Sequence, residues 1–401
     1  MNFKQKFLGD LINMKWLNKS KELSEFAENW KNVKEFSIFG FGAKCKNFSD
    51  ASCKEFKILR FYDNDKALIG QSLHGANVLH SSEVEKIIKS EKILISTHYS
   101  EISKQLKNYG LVEDIDFCEM DKFASVYYWF NYRKIHISRL NIALTTRCTL
   151  NCKHCNMFVP YYKDKGQGDV DLSELITDTK LFFDFIDKTY LFCILGGETF
   201  LHPYLKDYLN FLCKNYREKI IELRIVTNAT ILPCDELISL IKKYDVIVQI
   251  SDYSNIPGLV SKLFEFESKL KEANVKIIKP VSSTQWFDHK FPHNPLDVPE
   301  NKLIKHMHEC APCFKGINGG KFYYCHIVWA AVKAGLLTEN SADYIGLADL
   351  NPNNPDDKIK LIEYDLGYMD NGYVSLCRFC AGINKNNAAL VEAAIQAPKY
   401  D

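Results

Sequence analysis

The sequence predicts an α/β protein: a partial (β/α)6 barrel of the TIM type, preceded by a small parallel sheet and followed by a cysteine-bearing extension. Three observations lead there. Short apolar runs alternate with amphipathic helical stretches from residue 138 to about 280. Glycine and polar motifs fall at the ends of those runs, where parallel barrels carry their chemistry. Eight of the 14 cysteines are clustered, at 148, 152, 155, 310, 313, 325, 377 and 380. At 401 residues the chain exceeds one average domain. The expected parts are a helical arm (1–34), the small sheet (35–120), a linker (121–137), the barrel (138–300) and the extension (301–401).

Composition narrows the function classes. Apolar residues make up 46% and charged residues 25%, as in a globular protein, and the formal net charge is +1. That balance gives no global attraction to nucleic acid or anionic lipid. No apolar run reaches the ~18 residues of a membrane span. The start, Met1 to Leu8, lacks a long apolar h-region and a small-residue cleavage site. The expected location is the cytoplasm. Fourteen cysteines there point to metal or redox use rather than disulfides. The six scattered ones, Cys45, Cys53, Cys118, Cys193, Cys213 and Cys234, read as small buried apolar residues.

In the arm, Phe7, Leu8, Leu11 and Ile12 share one helical face. Strands are then expected at 35–39, 57–62, 76–79 and 92–96, with helices at 82–90 and 101–110. Gly40-Phe41-Gly42 follows the first strand, and Asp63 and Asp65 follow the second. This is a partial dinucleotide fingerprint: glycines admit a phosphate, and an acid holds ribose hydroxyls. Cys45 stands where a third small residue belongs. A turn that only closes a strand–helix junction is the plain alternative. The pattern resembles Rossmann-like domains attached to bacterial glycan-modifying enzymes, which implies a nucleotide-sugar or glycan. Residues 114–137 are aromatic and read as a linker or connecting helix.

Barrel strands are expected at 138–146, 190–195, 220–227, 246–251 and 275–280. Helices are expected at 172–188, 203–217, 234–244 and 257–273. The first strand runs into Cys148-Thr-Leu-Asn-Cys152-Lys-His-Cys155. Three thiolates on one loop can hold three irons of a 4Fe–4S cube and leave the fourth open. With His154 they could also close a zinc site, so spacing alone leaves both readings. The second strand ends in Gly196-Gly197-Glu198, where glycines allow close backbone approach and Glu198 adds a carboxylate. Thr227-Asn228-Ala229 and Ser251-Asp252-Tyr253 end the third and fourth. Each alone reads as an ordinary turn or cap. Together they ring a cavity suited to a ligand with an amino acid end and a ribose.

In combination these motifs resemble the radical S-adenosylmethionine (radical SAM) enzymes over about 138–290. The resemblance implies that Cys148, Cys152 and Cys155 hold a 4Fe–4S cluster whose open iron chelates the methionine moiety. It implies that Gly196, Gly197 and Glu198 contact the amino group. It places Thr227, Asn228 and Ser251 near the ribose or carboxylate. The implied chemistry is reductive cleavage of the cofactor and hydrogen abstraction by a 5′-deoxyadenosyl radical, with flavodoxin or ferredoxin as reductant.

Cys310-Ala-Pro-Cys313, Gly320 to Cys325, and Cys377-Arg-Phe-Cys380 form the second cysteine set. Two C-x2-C pairs suit a zinc ribbon by spacing. The set also resembles SPASM extensions in their shorter "twitch" form, which implies one auxiliary 4Fe–4S cluster on Cys325, Cys377, Cys380 and either Cys313 or Cys310. Cys313 is favoured because it lies nearer the hairpin; Cys310 fits the family's longer spacing. Tyr253, Trp286, Asp288 and His289 are candidates for pocket lining or proton transfer, with an aromatic-anchored loop as the alternative. His306 and His308 read as helix-surface residues, and 387–397 as an Ala-rich helix. The leading expectation is an oxidoreductase-like, C–H-modifying enzyme acting on a small molecule such as a sugar or nucleotide-sugar in surface glycan synthesis. A peptide maturase and a zinc-stabilised, non-catalytic binding protein are the rivals.

Overall fold

The structure is a computed structural model that describes residues 20–86, 91–97, 99–162, 166–280, 284–310, 314–383, 387 and 389–398. The chain divides into two compact units. The first takes Met1–Ser138, Phe185–Tyr190 and Asn351–Asp370; the second takes Arg139–Asp184, Leu191–Leu350 and Asn371–Asp401. Phe7, Leu8, Leu11 and Ile12 of the expected arm lie outside the described residues; among the described ones a helix occupies Ser20–Trp30.

The first unit holds strands β1 (Glu35–Phe39), β2 (Lys57–Asp63), β3 (Ser72–Leu73), β4 (Ala76–His80), β5 (Ile93–Ile95) and β6 (Phe117–Glu119). They form one sheet in the order β3-β4-β2-β1-β5-β6. All pairings are parallel except β3–β4. The expected helix at 82–90 is a 3-10 turn over Ser81–Lys86, and residues 87–90 lie outside the described set. The stretch expected as a linker contains a 13-residue helix, Met120–Tyr132, that belongs to this unit's core. Phe123 meets Trp30, Phe36 and Phe56 edge-on, each with ring centroids 5.5 Å apart. Each such ring contributes about 1.5–3 kcal/mol by burial, so aromatic density reads here as core.

β7 (His136–Ala143) and β8 (Lys188–Leu195) begin in the first unit's segments and end in the second's, and the second unit adds β9 (Ile220–Thr227), β10 (Ile247–Ile250), β11 (Ile277–Ile278), β12 (Gln285–Phe287), β13 (Gly316–Asn318), β14 (Lys321–Tyr323), β15 (Tyr344–Gly346) and β16 (Leu390–Glu392). Eight of them make a sheet in the order β11-β10-β9-β8-β7-β13-β14-β15. This is a partial barrel with helices between its strands. Leu205–Tyr216 buries Leu205, Tyr208, Leu209, Leu212 and Cys213, one stripe at helical spacing. Asp235–Lys243 carries acids in its first turn and lysines in its last, matching the helix dipole.

The parallel partner on the far side of β7 is β13, from the segment expected as extension. Asn318 fastens it: its Oδ1 accepts from Ala143 N at 3.0 Å and its Nδ2 donates to Ala143 O at 2.9 Å. The β13–β14 turn is Gly319-Gly320, with φ of +65° and +71°, as a tight hairpin turn requires. Asp178, buried, accepts both glycine N–H groups, at 2.8 and 2.6 Å.

Among the described residues the expected C-terminal helix at 387–397 is not formed. β16 pairs with β12 in a two-stranded ribbon instead, and Ala394 takes φ +61°. Alanine's helix preference is a few tenths of a kcal/mol per residue, and strand pairing to distant segments overrides it.

Candidate active site

The chain leaves β7 at Ala143 and enters the cysteine loop beside the end of β8. Leu144 N donates to Leu195 O, Gly197 N to Thr145 O and Glu198 N to Arg147 O, each at 2.8 Å. A Cβ on Gly196 would lie 2.7 Å from Thr145 O, and one on Gly197 would overlap Arg147 O. The two glycines therefore let one strand end lie flat against the cysteine loop. Arg147 fixes the loop's entry, donating from Nε to Asp169 at 3.0 Å and from its guanidinium to Leu201 O at 2.7 Å.

Glu198 is fully buried. Its Oε1 accepts from Phe200 N at 3.0 Å and Thr227 Oγ1 at 2.8 Å, and its Oε2 accepts from Asn228 N at 2.8 Å. Burial raises its pKa and these three donors oppose the rise. The carboxylate, expected to face a ligand, thus joins the ends of β8 and β9. Asn228 in turn donates from Nδ2 to Thr149 Oγ1 at 3.2 Å and to Cys148 Sγ at 3.5 Å. Ser251 N donates to Thr227 O at 2.9 Å, which brings the end of β10 to the same rim. Burial raises the Tyr253 hydroxyl, the Ser251 side chain opposes that, and the thiols of Cys152, Cys155 and Cys148 add to the rise. Tyr253 meets Trp286 edge-on at 5.8 Å.

The donor set suits iron–sulfur ligation. Leu150 N lies 3.4 Å from Cys148 Sγ, Gln396 Nε2 3.4 Å from Cys152 Sγ and Met157 N 3.3 Å from Cys155 Sγ. N–H groups aimed at sulfur favour the thiolate. Burial pushes Cys148 and Cys152 up to about 12, with neighbouring thiols adding to it. Coordination to iron would reverse that, because a ligating thiol is deprotonated. Among the described residues no three His, Cys, Asp or Glu groups converge as ligands of one metal ion; on a cube each thiolate meets its own iron. His154, the candidate fourth zinc ligand, instead has Nδ1 3.8 Å from Asp288 and its ring 4.8 Å from His293.

Residues 142–251 match the Radical SAM superfamily. The chain contains a radical SAM domain. Its cofactors are S-adenosylmethionine and a 4Fe–4S cluster. The antilisterial bacteriocin subtilosin biosynthesis protein AlbA of Bacillus subtilis (strain 168) is 32% identical over 111 residues, 27% of this chain. The match spans 22% of AlbA's length. Native anSMEcpe with bound AdoMet superposes over 61% of this chain and 88% of its own, at 13% identity and a TM-score of 0.38. The histidine-tagged form with bound AdoMet covers 64% and 89%, at 13% identity and a TM-score of 0.40.

Downstream of the radical SAM domain, one cavity is lined by Cys310, Cys325, Cys377, Cys380, His289 and His306, with apolar Phe314 and Leu376 beside them. Cys313, the favoured fourth thiol, lies outside the described residues; the cavity receives Cys310. Ile383 N lies 3.3 Å from Cys310 Sγ, and Gly382 N 3.3 Å from Cys380 Sγ. Burial raises both thiols, Cys380 to about 12, and Cys310 adds to the latter. His306, expected on the surface, is half-buried and its Nε2 lies 2.8 Å from Cys380 O. His289 has Nδ1 3.6 Å from Cys380 Sγ, and burial lowers its pKa to about 4.

Asp288 is engaged by Lys290, whose N–H and ammonium lie 2.8 and 3.2 Å from its oxygens. In the first unit, Gly40 has φ +100°, and a Cβ there would strike Thr97 and Ser96. Asp63 accepts from Phe41 N at 2.8 Å and Asp65 N at 2.9 Å, and Asp65 accepts from Ala67 N at 2.9 Å. Nothing crowds Gly42. Gly40, Asp63 and Asp65 thus close the sheet's own loops. Sequence reasoning missed Arg147, Asp178 and Gln396, whose partners are distant in the chain.

Proposed function

We propose that Cys148, Cys152 and Cys155 hold the radical SAM cluster and that the rim of Gly196, Gly197, Thr227, Asn228 and Ser251 receives S-adenosylmethionine. The observation that carries this reading is the bonded sequence Cys148–Asn228–Glu198, which ties the cysteine loop to the ends of β8 and β9. Held there, the cluster would pass on one electron from the reductant for cleavage of the sulfonium C–S bond, and the cofactor would supply the radical chemistry that removes a hydrogen atom from substrate. The protein's share is positioning. Buried Glu198 holds Asn228 towards Cys148. Tyr253 and Trp286 wall one side against water. Cys310, Cys325, Cys377 and Cys380 hold an auxiliary 4Fe–4S cluster in the second cavity, and four thiolates would leave it as an electron acceptor in an oxidative outcome. A flavodoxin or ferredoxin is the reductant.

A peptide is the substrate class we favour. AlbA, the relative matched in sequence, is named for bacteriocin biosynthesis. Among the described residues the β12–β16 ribbon pairs with no further strand, and an open strand edge suits an extended peptide. The sugar reading rested on Gly40, Gly42, Asp63 and Asp65, and all of these but Gly42 are engaged by their own loops. Deuterium transfer into 5′-deoxyadenosine tests this: labelled peptides should pass it on and labelled nucleotide-sugars should not. Transfer from the sugars alone overturns the substrate class. Cofactor cleavage that survives Cys148→Ala, Cys152→Ala and Cys155→Ala together overturns the site.

A further inference from the structure

The stretch Ile395-Gln396-Ala397 lies antiparallel across the middle of the cluster loop. Lys153 N donates to Ile395 O at 2.8 Å and Ala397 N donates to Asn151 O at 2.7 Å. Cys152 and Gln396 are the bridged pair. The Gln396 side chain then turns into the loop. Its Oε1 accepts from Asn151 N at 2.7 Å, and its Nε2 donates to Ala394 O at 2.6 Å and to Cys152 Sγ at 3.4 Å. These partners settle which end of the amide faces the sulfur, since Asn151 N offers only a donor and Ala394 O only an acceptor. Upstream, Ala393 N donates to Thr284 O at 3.0 Å, and Asn255 Nδ2 reaches Glu392 Oε1 at 3.0 Å and Ala393 O at 3.2 Å. The strap is therefore fixed to three separate loops of the second unit, and Cys152 beneath it is 5% exposed.

We propose that Gln396 is a positioning residue for Cys152 that sets the reduction potential of the radical SAM cluster, while residues 393–397 shield that corner from water. This rests on the assignment of the cluster to Cys148, Cys152 and Cys155. A hydrogen bond to a ligating sulfur stabilises the more negative, reduced cluster and so raises its potential; solvent exposure and nearby charge act on the same quantity. Gln396 is suited to this because its amide carries no charge and is held at both ends.

The test is redox titration of the reconstituted full chain, following the EPR signal that changes when S-adenosylmethionine is added. Gln396→Ala should keep the wild-type iron content and move that midpoint to a more negative potential. Gln396→Glu, which puts an acceptor and a charge beside the sulfur, should move it further. Ala397→Pro removes the donor to Asn151 O and leaves Gln396 in place; it should hasten bleaching in air with a smaller shift in midpoint. Loss of thermal stability in Gln396→Ala with an unchanged midpoint overturns the proposal, because it leaves Gln396 a packing role only. A wild-type chain that assembles no S-adenosylmethionine-responsive cluster overturns the cluster assignment and the proposal with it.

Discussion

The backbone N–H of Asn228 donates a 2.8 Å hydrogen bond to Oε2 of Glu198, while the Asn228 side chain reaches Cys148 Sγ at 3.5 Å. A buried acid at the end of one strand thereby aims an amide from the next strand at the Cys148 thiol, one of the three proposed to hold the cluster. Three donors converge on that acid. Glu198→Gln keeps the shape but leaves one oxygen to accept from them. Urea unfolding should show a loss of about 1–3 kcal/mol, with less iron retained after reconstitution. An unchanged midpoint and iron content would mean the carboxylate is dispensable.

The Gly196-Gly197 pair predicts a sharp contrast between two glycines. Gly197→Ala forces a methyl against Arg147 O, whereas nothing stands within 4 Å of a Cβ on Gly42. The first should cost about 1–3 kcal/mol as overpacking and impair cluster assembly; the second should leave melting temperature and iron content alone. Equal behaviour of the two would remove the steric account of the motif.

Cys310 lines the second cavity. Cys310→Ala should therefore lower the reconstituted iron content by about four atoms per chain, one cubane's worth, as Cys377→Ala and Cys380→Ala together should. Iron analysis against the unaltered protein decides it. No change in Cys310→Ala would return the fourth place to Cys313.

Asp178 gives a pH signature. Burial lifts its carboxyl from 3.8 to about 6, against the pull of the Gly320 and Gly319 N–H groups. The folded chain thus keeps a proton that the unfolded chain releases. This favours folding most fully below about pH 4 and is lost as pH rises through about 6, a swing of about 1–3 kcal/mol. Unfolding free energies of the wild type minus those of Asp178→Asn should fall over that window. A flat difference would show that the group titrates normally.

The features legible in the sequence are those built from neighbours. Cys148, Cys152 and Cys155 share one loop, and Gly196-Gly197-Glu198 sits at a strand end marked by its apolar run, so spacing alone located both. The bonds that Glu198 accepts from Thr227 and Asn228 were not legible, because they join strand ends about 30 residues apart in the chain. Cys310 lines the second cavity, a placement that the sequence positions of Cys310 and Cys313, three residues apart, do not encode. The Ala-rich stretch at 387–397 misled because local preference is weak and its partners, Thr284 and Asn151, are far away. Met120–Tyr132, read as a linker or connecting helix, is a helix, and its place in the first unit's core was not legible because aromatic residues without a clean stripe mark a helix buried on several sides.

Gln396 and Cys152 are separated by 244 residues in the chain. At ribosomal rates of about 5–20 residues per second, the cysteine loop exists for roughly 12–49 s before the residue that covers it has been made. Under the proposed cluster assignment, iron and sulfide can reach the nascent loop before its cover exists, whereas a completed chain would have to part Ile395 and Ala397 from the loop to admit them. Order of assembly is written into the chain by where its cover lies.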